Sequence, residues 1–228
     1  MKFVWIVSLF LLIGCATKPL TKEMSKKVDE IAVVAYLNHQ AEMQYKGTTI
    51  FQNKKHLISD HSLGKSIESI YKKKLKKSGK RIVSLKIDRE ALQKFYNSGL
   101  PLQYEESRKY FAKKAKQKGA KYLVMVEPLV KTGYIKGYGL MCHSAFGIKG
   151  SGPQLHTYYY TSLIDTSSNK LLYRNLVTFK NDFGAKTYNI DCDENYPSKI
   201  SKSKIKKDLL KLMDAGAQAF LSKSNLSL

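Results

Sequence analysis

Two short apolar runs, Glu30–Leu37 and Tyr122–Val126, place the tightest limit on how this chain can fold. Each is nearly continuous in aliphatic and β-branched residues, the pattern of a strand buried on both faces. Amphipathic helices lie between them. Over residues 62–78, Leu63, Ile67, Ile70, Tyr71 and Leu75 recur at helical spacing, while Lys72, Lys73, Lys74, Lys76 and Lys77 fill the other face and Gly79 ends the run. A strand is expected over Arg81–Ile87, with Val83, Leu85 and Ile87 on one side. Asp88 then caps a short helix over Arg89–Asn97. A longer helix, about Gln103 to Lys118, carries Tyr104, Ser107, Phe111 and Ala115 on one stripe and stops at Gly119. Strands separated by helices in this way join through right-handed crossovers into a parallel sheet.

The pattern changes beyond this point. Tyr134–Cys142, His156–Asp165 and Lys170–Lys180 read as three antiparallel strands, the last two joined by Thr166–Asn169. A loop spans Asn181–Lys199, and a final helix over Ser201–Ser222 turns Ile205, Leu209, Leu212, Met213, Gly216 and Phe220 inward. The segment Asn38–Asp60 is polar, with at most a short strand at Thr48–Phe51. The expected fold class is α/β with a mixed sheet: three parallel-type strands with crossover helices, then an antiparallel meander and a C-terminal helix. One domain over residues 28–223 accounts for the chain, leaving 224–228 as a tail.

The first fifteen residues carry an address. Met1-Lys2 precedes an uncharged apolar stretch, Phe3–Ile13, followed by Gly14-Cys15, the layout of a secretory signal. The stretch falls short of the roughly 20 apolar residues that a spanning helix needs. Leu12-Ile13-Gly14-Cys15 resembles the lipobox of bacterial lipoproteins. The resemblance implies that residues 1–14 are removed and that Cys15 is acylated (palmitate among its chains); residues 16–27, polar and short, read as a tether, so that 15–27 comprise the lipidated Cys and tether. Ala16 stands where Asp would imply retention, so by the same resemblance the protein is sorted to the outer membrane and faces the periplasm.

Ile31–Leu37, Gly119–Val126 and the strand, Asp-Thr turn, strand pattern of Ser162–Lys170 resemble the αβ domain of several periplasmic lipoproteins. These include the curli-secretion lipoprotein, the lipoprotein activators of penicillin-binding proteins and, beyond lipoproteins, the N-terminal domain of the Tol-system propeller protein. The resemblance implies a membrane-anchored envelope component. The long membrane-inserting hairpin that a secretion pore requires is not found.

Charge is the compositional outlier, with 40 Lys+Arg against 18 Asp+Glu. Cleavage before Cys15 would remove only Lys2 of these. Just four of the 40 are Arg: Arg81, Arg89, Arg108 and Arg174. Base-reading proteins favour the bidentate Arg fork, so nucleic acid is not an expected partner. Codon bias and solvated lysine faces are the plainer account of the excess; attraction to anionic lipid or wall polymer is the functional one. The candidate basic surface comprises Lys72, Lys73, Lys76, Lys77, Lys113, Lys114, Lys204 and Lys207, all on expected helices.

Motifs for chemistry are sparse. The chain holds neither Gly-x-Ser-x-Gly nor a phosphate loop, and glycine-rich Gly147–Gly152 has no helix after it. Asp191, Asp193 and Asn195 begin like a calcium loop, but Tyr196 occupies the turn position and Lys202 the bidentate one. His39, His56, His61, His143 and His156 lack ligand spacing. Cys142, His143, Asp191 and Cys192 leave three readings: a disulfide between Cys142 and Cys192, a zinc site, or free thiols. An oxidising compartment and a topology that returns both cysteines to one end of the sheet favour the disulfide. No metal or cofactor is expected.

Function is expected to be non-enzymatic: docking on an envelope protein partner through a sheet edge or the Tyr158–Tyr160 strand, in envelope assembly, secretion or wall synthesis. The alternative is an envelope hydrolase built on scattered residues such as His143 and Asp165.

Overall fold

The computed structural model describes residues 18–35, 40–46, 54–59, 63–87, 101–128, 137–143, 152–178, 187–193 and 195–227. The expected strand at Thr48–Phe51, the helix over Arg89–Asn97 and the Gly147–Ser151 part of the glycine-rich stretch lie outside them.

The buried runs behave as their composition requires. Strand β1 (Ile31–Ala35) is buried at every position. It sends Ile31, Val33 and Ala35 to one hydrophobic cluster and Ala32 and Val34 to a second on the opposite face. β4 (Ile82–Val83) and β5 (Tyr122–Pro128) flank it in parallel, giving the three parallel strands. Helix α2 (Leu63–Lys77) leads into β4 on the first face, and α3 (Pro101–Gln117) leads into β5 on the second. Each helix ends where glycine permits a left-handed residue, Gly79 at φ 74° and Gly119 at φ 83°. The following amides reach back to close the last turn, Lys80 N–H to Leu75 O at 3.0 Å and Ala120 N–H to Ala115 O at 3.0 Å.

The antiparallel part is the meander β6 (Gly137–His143), β7 (Gln154–Asp165) and β8 (Leu171–Thr178). β5 and β6 follow one another along the same edge of β7, against Tyr159–Asp165 and Gln154–Tyr158 respectively. β8 lines the other edge.

Three departures from the sequence reading have identifiable causes. The polar segment after β1 contains two strands, β2 (Gln40–Lys46) and β3 (Lys54–Ser59), paired antiparallel, with β2 also parallel to β6. Its alternation is real but thinly apolar: Ala41, Met43 and Tyr45 join the first cluster, and polar residues lie between them. The expected Arg81–Ile87 strand pairs only at Ile82 and Val83, although Val83, Leu85 and Ile87 share the second cluster as their spacing indicated.

The expected tether and tail are the third departure, for both are partly folded. Helix α1 (Lys22–Lys27) is capped by Thr21, whose hydroxyl accepts from Met24 N–H. Leu20 and Val28 on either side enter the core, as does Leu226 at the other terminus. Asn225 Nδ2 donates to Leu20 O at 2.7 Å, joining the two ends of the described chain.

Helix α4 (Lys202–Lys223), capped by Ser201, lies beside α2 and crosses β7 and β8. Gly216 marks the closest approach, where an added Cβ would run into Tyr159 Oη and come within 2.9 Å of Val177 Cγ1. Gly216→Ala would gain about 1 kcal/mol in helix propensity. The overpacking costs more, and a net loss of about 1–2 kcal/mol is expected. A lowered midpoint in urea unfolding is the check; a raised midpoint would mean that the helix shifts freely.

Candidate functional site

The cysteines expected to pair do meet. Cys142 on β6 and Cys192 sit at disulfide distance, with Cα atoms 5.5 Å apart and a sequence separation of 50. Their sulfurs are directed at each other, so the zinc alternative loses its two thiolates. Among the described residues, no group of three or more His, Cys, Asp or Glu side chains is placed to hold a metal. Asp193 of the calcium-like stretch accepts from Asn195 N–H at 2.9 Å and pairs with Lys199, which lowers its carboxyl from the ordinary range.

The backbone sets the hydrolase candidates apart, with His143 ending β6 just beyond the pairing of Met141 with Gln154 and Asp165 ending β7 at its opposite end. Asp165 closes the β7–β8 turn, accepting from Ser167 N–H at 2.8 Å, Ser168 N–H at 2.9 Å and the Ser167 hydroxyl at 2.6 Å. This is the local bonding by which Asp fixes turns. The side chain of His143 lies outside the described residues.

The three consecutive tyrosines split between faces, as alternation on a strand dictates. Tyr159 is fully buried under α4. Nearby, the Tyr71 hydroxyl lies 2.7 Å from Thr161 Oγ1, and burial pushes it up to about 12. Tyr158 and Tyr160 lie half-buried on the opposite face, with the Arg174 guanidinium 3.6 Å from the Tyr160 ring centre.

That guanidinium belongs to a cluster the sequence reading missed. Glu127, fully buried near the end of β5, accepts from the Ser162 hydroxyl at 2.5 Å. It also pairs with Arg108 of α3 and Arg174 of β8, each at 3.3 Å. One carboxylate thus joins β5, β7, β8 and α3. Arg81 likewise holds Asp29 and Glu30, and its bonds lower the Asp29 carboxyl to about 2. The three described arginines of this lysine-rich chain therefore all serve carboxylates. Their rarity was the available signal, since Arg supplies the planar, weakly hydrated fork that partly buried pairs need.

The structure divides the candidate lysines in two ways. By face, Lys72, Lys73, Lys76 and Lys77 lie on α2 and Lys204 and Lys207 on α4, while Lys113 and Lys114 lie on α3 across the sheet. The eight therefore do not form one lateral surface. By height the grouping differs. The C-terminal ends of α2, α3 and α4 all reach the end of the sheet where β1 begins. Lys80 Nζ donates to Ser25 O, Lys121 N–H to Glu30 O, and Thr166 Oγ1 to Ala120 O, tying those ends to α1 and the β7–β8 turn. Lys204 and Lys207, at the start of α4, are remote from that end.

Shallow grooves run beside α2. One of about 740 Å³ is lined by Lys65, Glu68, Ser69, Lys72, Lys73, Lys76 and Lys77. Another lies between α2 and α4, where Lys74 bridges to Asp214 at 3.1 Å and to Gln218 at 3.2 Å. Among the described residues, no helix is long and apolar enough to cross a membrane.

No protein-family model and no curated protein matches the chain. Among solved structures, it is similar to the PelC dodecamer from Paraburkholderia phytofirmans, with 14% identity and a TM-score of 0.35. That overlap covers 91% of this chain and 92% of that one. A single-substitution variant of the same dodecamer gives 15% identity and a TM-score of 0.34, over 92% and 93% of the two chains. Likenesses this shallow assign no role.

Proposed function

We propose that the protein is a lipid-anchored lipoprotein of the outer membrane, facing the periplasm. It acts there as a non-enzymatic docking or accessory factor in envelope assembly, secretion or wall synthesis. The observation that carries this reading is Leu12-Ile13-Gly14-Cys15 at the end of an uncharged apolar stretch. One feature of the fold supports it. The Cys142–Cys192 pair suits an oxidising compartment. Exposed lysines, and carboxylates already engaged in turns and ion pairs, support docking over hydrolysis. The partner is an envelope protein, with anionic lipid or wall polymer as a further contact.

Radiolabelled palmitate is expected to enter the wild-type protein and not Cys15→Ala, which stays uncleaved or leaves the outer-membrane fraction. Two acyl chains hold a protein stably where one does not. Absence of label from the wild type would overturn the reading.

A further inference from the structure

The end of the sheet where β1 begins gathers lysines from separate elements. Lys26 and Lys27 of α1, Lys76 and Lys77 of α2, and Lys116 and Lys118 at the end of α3 are exposed there. None of these six forms an ion pair among the described residues. The acids nearby are largely engaged: Asp29 and Glu30 by Arg81 and Lys121, and Asp165 by its own turn. A helix macrodipole favours a cation or two in each last turn. It does not explain the exposed lysines that non-helical segments add at the same end, such as Lys121 before β5 and Lys170 at the β7–β8 turn.

The chain enters the fold at this end. Leu20, its backbone carbonyl held by Asn225, is five residues after Cys15, and five extended residues span at most about 17 Å. We infer that this lysine-rich end is the protein's membrane-docking surface, lying against anionic phospholipid headgroups. The inference rests on the proposed acylation of Cys15, which brings this end and no other within reach of a bilayer. Charge then fixes the orientation: a short acyl tether and a polybasic patch act as two signals on one surface.

The test uses the lipid-free chain beginning at Ala16, which keeps every described residue. The probes are phosphatidylcholine vesicles with and without phosphatidylglycerol. Binding is expected only to the phosphatidylglycerol vesicles, weakening as salt shortens the Debye length. Changing Lys76, Lys77, Lys116 and Lys118 together to Gln should reduce partitioning about fivefold per lysine, a combined loss of nearly three orders of magnitude. The matched variant, Lys202, Lys204, Lys207 and Lys211 to Gln, removes equal charge at a distance and should bind nearly as the wild type does. Equal losses in both variants would mean that net charge alone is at work and would overturn the inference. So would binding to soluble polygalacturonate without binding to phosphatidylglycerol vesicles. Because the chain carries no lipid, failure here with successful palmitate labelling leaves the anchor standing. Binding without labelling leaves the surface standing and removes the anchor.

Discussion

Replacing Glu127 with Ala is expected to lower stability by about 3 kcal/mol, among the largest effects of any single change in this fold. The reason is asymmetry. The carboxylate is fully buried, and its removal takes away the acceptor that the Arg108 and Arg174 guanidiniums and the Ser162 hydroxyl share. Leaving partly buried charges uncompensated costs far more than an exposed ion pair contributes. For a domain of this size the thermal midpoint should fall by about 10 °C. Thermal unfolding followed by circular dichroism makes the comparison. An unchanged midpoint would show that solvent reaches the cluster and that it does not hold α3 to the sheet.

The second large effect is expected from the disulfide. Closing a loop over 50 residues contributes about 4 kcal/mol in the chain-entropy treatment. The double variant Cys142→Ala, Cys192→Ala should therefore unfold well below the oxidised wild type, and a reducing agent should move the wild type towards it. The bond also pins the segment that packs Tyr188. Tyr188 donates its hydroxyl to buried Asp208 at 2.8 Å and its N–H to Pro153 O at 2.9 Å. Thiol labelling of the folded, unreduced protein should find neither cysteine; quantitative labelling of both would contradict the pairing.

The legible parts of the fold were those where one physical signal dominated. The runs at residues 31–35 and 122–126 are apolar on both faces and could hardly be anything but buried strands. Lysine-striped α2 and the glycine stops at Gly79 and Gly119 fixed that helix and the end of the next within a residue or two.

Elements were missed where the signal was spread out. β2 and β3 carry few apolar residues; among the described strands β3 pairs only with neighbouring β2, and the second ladder partner of β2, β6, lies far along the chain, which no local pattern shows. Helix α1 is six residues long, too short to reveal a stripe, and is held largely by the burial of Leu20, Ser25 and Val28 around it.

The candidate site was legible in composition and not in placement. The lysine excess was plain. Which lysines share an end depends on α2, α3 and α4 all directing their C-termini the same way, a property of the assembled sheet. The Glu127 cluster was hidden for a related reason, since its four side chains come from residues 108, 127, 162 and 174.

The central claim, that the mature protein begins at an acylated Cys15, is most directly tested by intact-mass analysis of the protein extracted from membranes. The account predicts a chain lacking residues 1–14 and carrying the added mass of its acyl chains on the N-terminal peptide. A mass matching the unprocessed chain from Met1, or a mature terminus elsewhere without acyl chains, would contradict it.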